Sequence, residues 1–489
     1  MHHSLYVSAA AAVLIVATAA RADVTISSAP TQDMNCSGGV CAPTGKKAVL
    51  NVGDLQILLS SGNVEVTTTG SGVQADNLAV DAALTWSSTS TLALDAHDSI
   101  AMSKSIAVAG IGGLTLTTND GGSNGTLSFG PKGNVTFQNL SSVLTINGTS
   151  YTLENSVKSL ASAVLANPNG AFALASSYDA SQDGTYSNCP IDTTLSGTLQ
   201  GLGNTISNLA VTAKPQRGLD SCAGLILSVG ASGVVESLRL KAIEYKDKRK
   251  HDSVDGGLAG ENYGSIFGNS VSGSIVGAGA GGLVGVNYGT IVSSSANVHV
   301  RTFCCNGGFV GGGGLVANNA GSIELSHASG DVSGVLGGGG LTYFNEGWIS
   351  ESYATGNVSQ GGGLVYENAG AITNSYATGA VNGANSGGLI YANNDYSVTD
   401  SYSTGLVRPE AGGFVCDGSF NLSDDYWDTT TSGTTYGVCN DGNVSGVTGL
   451  TTLQLQSGLP AGFDPSIWAE DKKINNGLPY LINNPPEKK

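Results

Sequence analysis

Seven times between residues 256 and 415 the chain reads Gly-Gly and then a large apolar residue: Leu258, Leu283, Leu315, Leu341, Leu364, Leu389 and Phe414. The steps between them are 25, 32, 26, 23, 25 and 25 residues. Four residues on stand Asn262, Asn287, Asn319, Asn345, Asn368 and Asn393; two beyond those come Gly264, Gly289, Gly321, Gly347 and Gly370; then Ile266, Ile291, Ile323, Ile349 and Ile372. In the better copies a second half follows, as in Ser352 to Val358 and Ser375 to Val381. A period of this length, with three short apolar segments separated by Gly, Asn and Ser, suits one coil of a parallel β-solenoid. Helical repeats need longer units with apolar residues at i and i+4, and that spacing is missing.

On such coils the Leu, Ile and Val columns are expected to point inward, with Asn and Gly taking the left-handed backbone at corners. Asparagines stacked at one corner can also hydrogen-bond along the axis, as amide ladders do. The asparagine column therefore reads as structural. So does Gly-Gly, where side chains would meet the next coil, because a phosphate loop would occur once rather than seven times. Tyr353, Tyr376 and Tyr402 are expected to form an outer stack, read as packing rather than as a ligand platform.

Composition supports a helix-poor, all-β chain. Of 489 residues 72 are Gly and only 12 are Pro, and charged residues make up 12%, against roughly 25% in ordinary globular domains. Glycine follows no three-residue period, which excludes collagen, and 40% hydrophobic residues suffice for a core. Twenty basic and 37 acidic residues give a net charge of −17, which argues against nucleic acid as a partner.

Residues 1–22 read as a signal peptide: Ala9 to Ala20 is apolar but too short to span a bilayer, and Ala20-Arg21-Ala22 is a small-x-small cleavage site. A secreted, extracellular or cell-surface location is expected, with no transmembrane helix. In that setting the eight cysteines read as disulfide candidates: Cys36 with Cys41, Cys189 with Cys222, Cys304 beside Cys305, and Cys416 with Cys439. Spacing does not prove the connectivity. The second and fourth separations approximate the repeat length, as a bridge between successive coils would.

Residues 23–154 hold alternating stretches, Val64–Val66, Leu92–Leu94, Leu114–Leu116, Leu127–Phe129, Val135–Phe137 and Leu144–Ile146, expected to form less regular coils. Val157, Leu160, Ala161, Val164 and Leu165 have helical spacing and stop at Asn167-Pro168, so one short helix is expected there. Residues 155–425 form the repeat solenoid, and 426–489, richer in Trp and Pro, a C-terminal cap. The 32-residue step holds an insertion around Arg301 to Cys305, expected to emerge as a loop pinned by a cysteine.

Lys241, Lys246, Lys248, Arg249 and Lys250, with His251 beside them, place five of the 20 basic residues within ten positions. They are expected on a loop between coils, solvated, gripping an acidic glycan or tethering the protein to an anionic surface, with Lys246, Lys248, Arg249 and Lys250 as the binding candidates. Asp424, Asp425 and Asp428 read as a solvated acidic turn. No catalytic set, metal site or cofactor site is legible: no two of the six histidines have zinc-helix spacing, and no nucleophile elbow has its strand-turn-helix context.

The Gly-Gly-Leu-Val-Gly-x-Asn-x-Gly-x-Ile pattern, best kept at Gly281 to Ile291, is similar to the GLUG motif, and the whole resembles filamentous haemagglutinin-like bacterial adhesins. Supporting stretches are Ser196 to Leu209, Leu114 to Gly130 and Tyr426-Trp427-Asp428. The resemblance implies a right-handed parallel β-helix, a role at the bacterial cell surface and, in some members, an outer-membrane export partner. The function expected is a non-catalytic adhesin-like or structural protein contacting a host or bacterial surface glycan or protein. The alternative is a carbohydrate-active β-helix enzyme, a polysaccharide lyase or glycosidase, working through acidic residues on one wall.

Overall fold

A computed structural model describes residues 24–213, 224–247, 254–303, 311–408, 410–439 and 444–486. The chain forms two compact units. One holds the residues up to Ile106 with Gly112–Gly133 and Thr145–Gly148; the other holds Ala107–Ile111, Asn134–Leu144 and everything from Thr149.

In the first unit the strands Val24–Ser27, Ala48–Asn51, Leu78–Val80, Ile100–Met102 and Leu127–Phe129 make one parallel sheet. Val64–Thr67, Thr91–Asp95 and Gly113–Thr117 pair in parallel as well. Alternation buries one residue in two: Leu92, Leu94, Leu114 and Leu116 are inaccessible to solvent, while Ala93 and Thr115 are partly exposed. The six stretches expected to be strands all are strands. A hairpin of Met34–Ser37 and Val40–Pro43 carries the Cys36–Cys41 disulfide.

A helix not foreseen in the sequence, Val52–Ser61, lies in this unit. Asn51 caps it, its side-chain oxygen accepting from the Gly53 and Asp54 amides. Leu55 and Leu59 are fully buried beneath it.

The second unit is a parallel β-solenoid. The coil Gly338–Gly339, Thr342–Asn345, Trp348–Ser350 and Tyr353–Ala354 pairs residue for residue with Gly361–Gly362, Val365–Asn368, Ala371–Thr373 and Tyr376–Ala377. This register puts each repeat column on one line. Every member of the Leu258 to Phe414 column and of the Ile266 to Ile372 column is completely buried, so each coil completes a core that one repeat could not close alone.

The Gly-Gly pairs stand where coils approach too closely for a side chain. A Cβ on Gly340 would lie 1.9 Å from the Gly363 carbonyl oxygen of the next coil, and one on Gly339 would lie 1.8 Å from the Thr342 carbonyl oxygen of its own coil and 2.9 Å from the Tyr366 amide of the next. The asparagine column is a continuous buried amide ladder: Nδ2 of Asn262, Asn287, Asn319, Asn345 and Asn368 each donates to Oδ1 of the next at 2.7–2.8 Å.

The left-handed corner is not where the sequence placed it. Neither the asparagines nor Gly264, Gly289, Gly321, Gly347 and Gly370 have positive φ; Ser293, Leu325, Glu351, Asn374, Asp400 and Asp424 do, at 43–56°. A serine follows each of these corners except Asp424, which Asp425 follows. The amides of Ser294, Ser326, Ser352 and Ser375 donate to the hydroxyl of the next coil's serine at 3.1–3.4 Å, and several hydroxyls donate back to a carbonyl two residues upstream. Glycine in the Gly264 column answers instead to crowding: a Cβ on Gly289 would meet the Gly264 oxygen at 2.1 Å.

The expected helix is present as Val157–Ala166, capped by Ser156 and ended at Asn167, whose amide donates to Ala163. Buried Cys416 and Cys439 form a disulfide across 23 residues. Cys189 is disulfide-bonded, whereas Cys222, Cys304 and Cys305 lie outside the described residues. After Val447–Leu450 the chain returns along the side of the solenoid: Phe463, Trp468, Leu478 and Leu481 pack over Tyr353, Tyr376, Tyr402 and Tyr426. Among the described residues no helix is long and apolar enough to cross a membrane.

Candidate functional site: a hydroxyl-lined side-wall cleft

In the solenoid unit the returning C-terminal segment and the outer face of one wall enclose a cleft of about 970 Å³. Register builds two lines of side chains into it. Thr205, Arg239, Ser270, Ser295, His327 and Tyr353 occupy equivalent positions on successive coils. Two residues further along each strand run Ser272, Asn297, Ser329, Thr355, Thr378 and Thr404. Because neighbouring strands in a sheet lie about 4.8 Å apart, the second line offers one hydroxyl or amide per coil. Asn297 and Ser329 are exposed, Thr355 and Thr378 half-buried, and Thr404 buried, so the cleft is open at one end and closed at the other.

At the closed end Asp428 continues the threonine line. Its Oδ1 accepts from the Thr430 and Thr431 amides at 2.8 and 3.2 Å, and its Oδ2 accepts from the Thr452 hydroxyl at 2.7 Å. Both oxygens are thus engaged in holding a turn. The opposite wall brings Lys473, Gln456, Asn475 and Asn476. Asn475 donates to Tyr402 Oη and to the Pro479 carbonyl, and Gln456 donates to the Asn476 carbonyl, fixing this segment internally and against the tyrosine ladder.

The tyrosine stack has the form expected of packing. Tyr353, Tyr376 and Tyr402 stack with centroids 4.7 and 5.0 Å apart, and His327 extends the stack at 4.7 Å from Tyr353. Rings in such a ladder cover one another's faces, and sugars stack on faces. Burial drives the Tyr376 and Tyr402 hydroxyls well above the ordinary phenol range.

The acidic triplet at 424, 425 and 428 is not the solvated turn expected. Asp425 and Asp428 are completely buried, and only Asp424 reaches solvent. Asp425 ends the serine ladder by accepting from the Ser401 amide at 3.0 Å, while its Oδ2 has no hydrogen-bond partner. Burial, then the nearby Asp400 and Asp424 carboxylates, holds its carboxyl well above the usual range against the opposing pull of hydrogen bonds from the Ser401 and Ser423 amides.

Of the basic candidates, Lys246 lies on the strand Arg239–Asp247 beside Glu244, with which it forms an ion pair. Lys248, Arg249 and Lys250 lie outside the described residues. The same strand carries Arg239 and Lys241 into the cleft. Arg239 was not singled out in the sequence, and neither was Lys473, which is more than 200 residues away. That both line one cleft depends on the return of the C-terminal segment.

The second unit is therefore a parallel β-solenoid with a polar groove on one side wall. No protein-family model and no curated protein matches the sequence. Among solved structures, that of a candidate immunoglobulin A1 protease from Bacteroides ovatus is similar at 15% identity and a TM-score of 0.36, over 68% of this chain and 92% of that chain. A likeness of that depth leaves the chemistry of the cleft to its own residues.

Proposed function

We propose that the chain is an exported, adhesin-like β-solenoid of the GLUG, filamentous haemagglutinin-like kind, which contacts a glycan at the cell surface through the side-wall cleft without turning it over. The observation that carries this reading is the line Ser272, Asn297, Ser329, Thr355, Thr378, with one polar group per coil. A repeated row of hydrogen-bonding groups suits a repeated ligand, and many weak contacts sum along it. Glycosidase chemistry needs a pair of carboxyl groups. Among the described residues Asp428 is the one carboxylate lining the cleft, and both its oxygens are committed to the turn.

The test is retention of the purified mature protein on immobilised polysaccharides, with Thr355→Trp filling the cleft. Wild-type retention and its loss in the variant are expected. Retention untouched by Thr355→Trp would place the contact elsewhere. Release of reducing ends or unsaturated products, abolished by substituting one Asp or Glu, would establish the enzyme reading instead.

A further inference from the structure

The charge inside the cleft runs against that of the chain. Acidic residues outnumber basic ones 37 to 20 in the sequence, yet the cleft takes Arg239, Lys241 and Lys473 on its walls against one carboxylate, Asp428. That carboxylate already accepts three hydrogen bonds. Arg239 is half-buried and oriented by donation from Nη1 to the Gly203 carbonyl at 2.7 Å, while Lys241 and Lys473 are exposed at the cleft. Lys241 and Lys473 reach it from segments more than 200 residues apart in sequence.

We infer that the cleft binds an anionic polysaccharide, its chain running along the coil axis with its acid groups toward Arg239, Lys241 and Lys473. This rests on the glycan-contact reading above and adds the ligand's charge. Three features narrow the class. Cations confined to a groove favour an anion there, while the −17 of the whole chain disfavours a diffuse polyanion laid over the surface. The hydroxyl line repeats with the coil, which suits a polymer of sugar units rather than one small anion. The rings nearest the cleft, His327 and Tyr353, are stacked on each other, which leaves little aromatic face for the bases of a single-stranded nucleic acid.

The test compares polygalacturonate (carboxylated), dextran sulfate (sulfated) and plain dextran (neutral) by calorimetry, on wild-type protein, on Thr355→Trp and on a Lys241→Ala/Lys473→Ala double variant. Both lysines are exposed, so the double variant should keep the wild-type melting temperature. The expected result is binding of one or both acidic polymers, weakened at least about tenfold by the double variant and by raised salt, with dextran bound far more weakly. Which acidic polymer binds identifies the acid group. Dextran bound as tightly as the acidic polymers, blocked by Thr355→Trp but unaffected by the lysine changes, would overturn the anionic class and leave the cleft reading standing. Acidic polymers bound equally by all three proteins would overturn both. Failure of both acidic polymers to bind would overturn the anionic class.

Discussion

Asn319 shows how much one side chain does in a repeat. Its oxygen accepts from Asn287 and its amide donates to Asn345, fully buried. Asn319→Ala takes the ladder donor from the buried Asn345 Oδ1, whereas Asn287 Nδ2 keeps its bonds to the Gly289 and Ser322 carbonyls at 3.2 Å, so it should cost about 1–3 kcal/mol in urea unfolding, the cost of one stranded buried group. Asn319→Asp should cost more, because a carboxylate cannot donate to Asn345 and would be charged in the core. Asp425 offers the opposite case. Its Oδ1 is used and its Oδ2 is not, and its folded pKa is raised, so its favourable contribution is present at low pH and lost as pH rises through that raised value. Asp425→Asn keeps the acceptor, removes the titration and should leave stability at neutral pH equal or higher. Asp425→Ala strands the Ser401 amide and should cost about 1–3 kcal/mol. Denaturation of the two variants at neutral pH separates these outcomes.

For the elements, coil spacing and helix anchoring make distinct predictions. A Cβ on Gly340 meets backbone at 1.9 Å, which the neighbouring coil cannot yield without breaking register, whereas Gly62, after the helix Val52–Ser61, has extended φ and open space around it. Gly340→Ala should therefore destabilise by about 3 kcal/mol or more, and Gly62→Ala should be neutral or slightly stabilising. Thermal melts of the pair check this. The helix Val157–Ala166 is tied to the next coil by Asp183, which accepts from Tyr178 at 2.9 Å and Tyr186 at 2.8 Å and pairs with Lys158 at 3.2 Å. Burial alone would raise the Asp183 carboxyl, but these bonds together with the Lys158 charge more than offset it and lower it. Its stabilisation is thus present above the unfolded value and lost as pH falls through the depressed one. Asp183→Asn should weaken the acid loss of helix signal in circular dichroism while lowering stability at neutral pH.

Over the whole molecule the two units should respond differently to conditions. In the first, burial, then Asp120 and Glu65, raises Asp95 from 3.8 to about 6. The folded state then holds its proton more tightly, so this contribution is complete below 3.8 and lost as pH rises through about 6. That unit should melt at a higher temperature near pH 4.5 than near pH 7.5, with the contrast reduced in Asp95→Asn. In the second, the Cys416–Cys439 bridge closes a loop of 23 residues. A Cys416→Ser/Cys439→Ser variant should lose about 3 kcal/mol by the chain-entropy estimate, read by denaturant unfolding under non-reducing conditions.

The winding of the chain is legible in residues that recur. Leu258 to Phe414, the asparagines and Gly-Gly repeat because stacking imposes one steric and hydrogen-bonding condition on every coil, and a periodic condition leaves a periodic trace. The helix Val52–Ser61 left a weaker one, Asn51 before Leu55, Leu58 and Leu59, short enough to be lost among strands. The left-handed corners went unread because Leu325 and Glu351 are poor residues for positive φ, and the next coil's serine compensates for the strain. Asp425 looked solvated because nothing local reveals that it ends a ladder begun more than a hundred residues earlier. The cleft is of the same kind. Arg239 and Lys473 carry no shared pattern and line one cleft because Trp468 and Leu478 bury themselves on the tyrosine ladder. Local rules write periodicity into sequence, whereas a site assembled from distant segments exists only once apolar burial has brought those segments together.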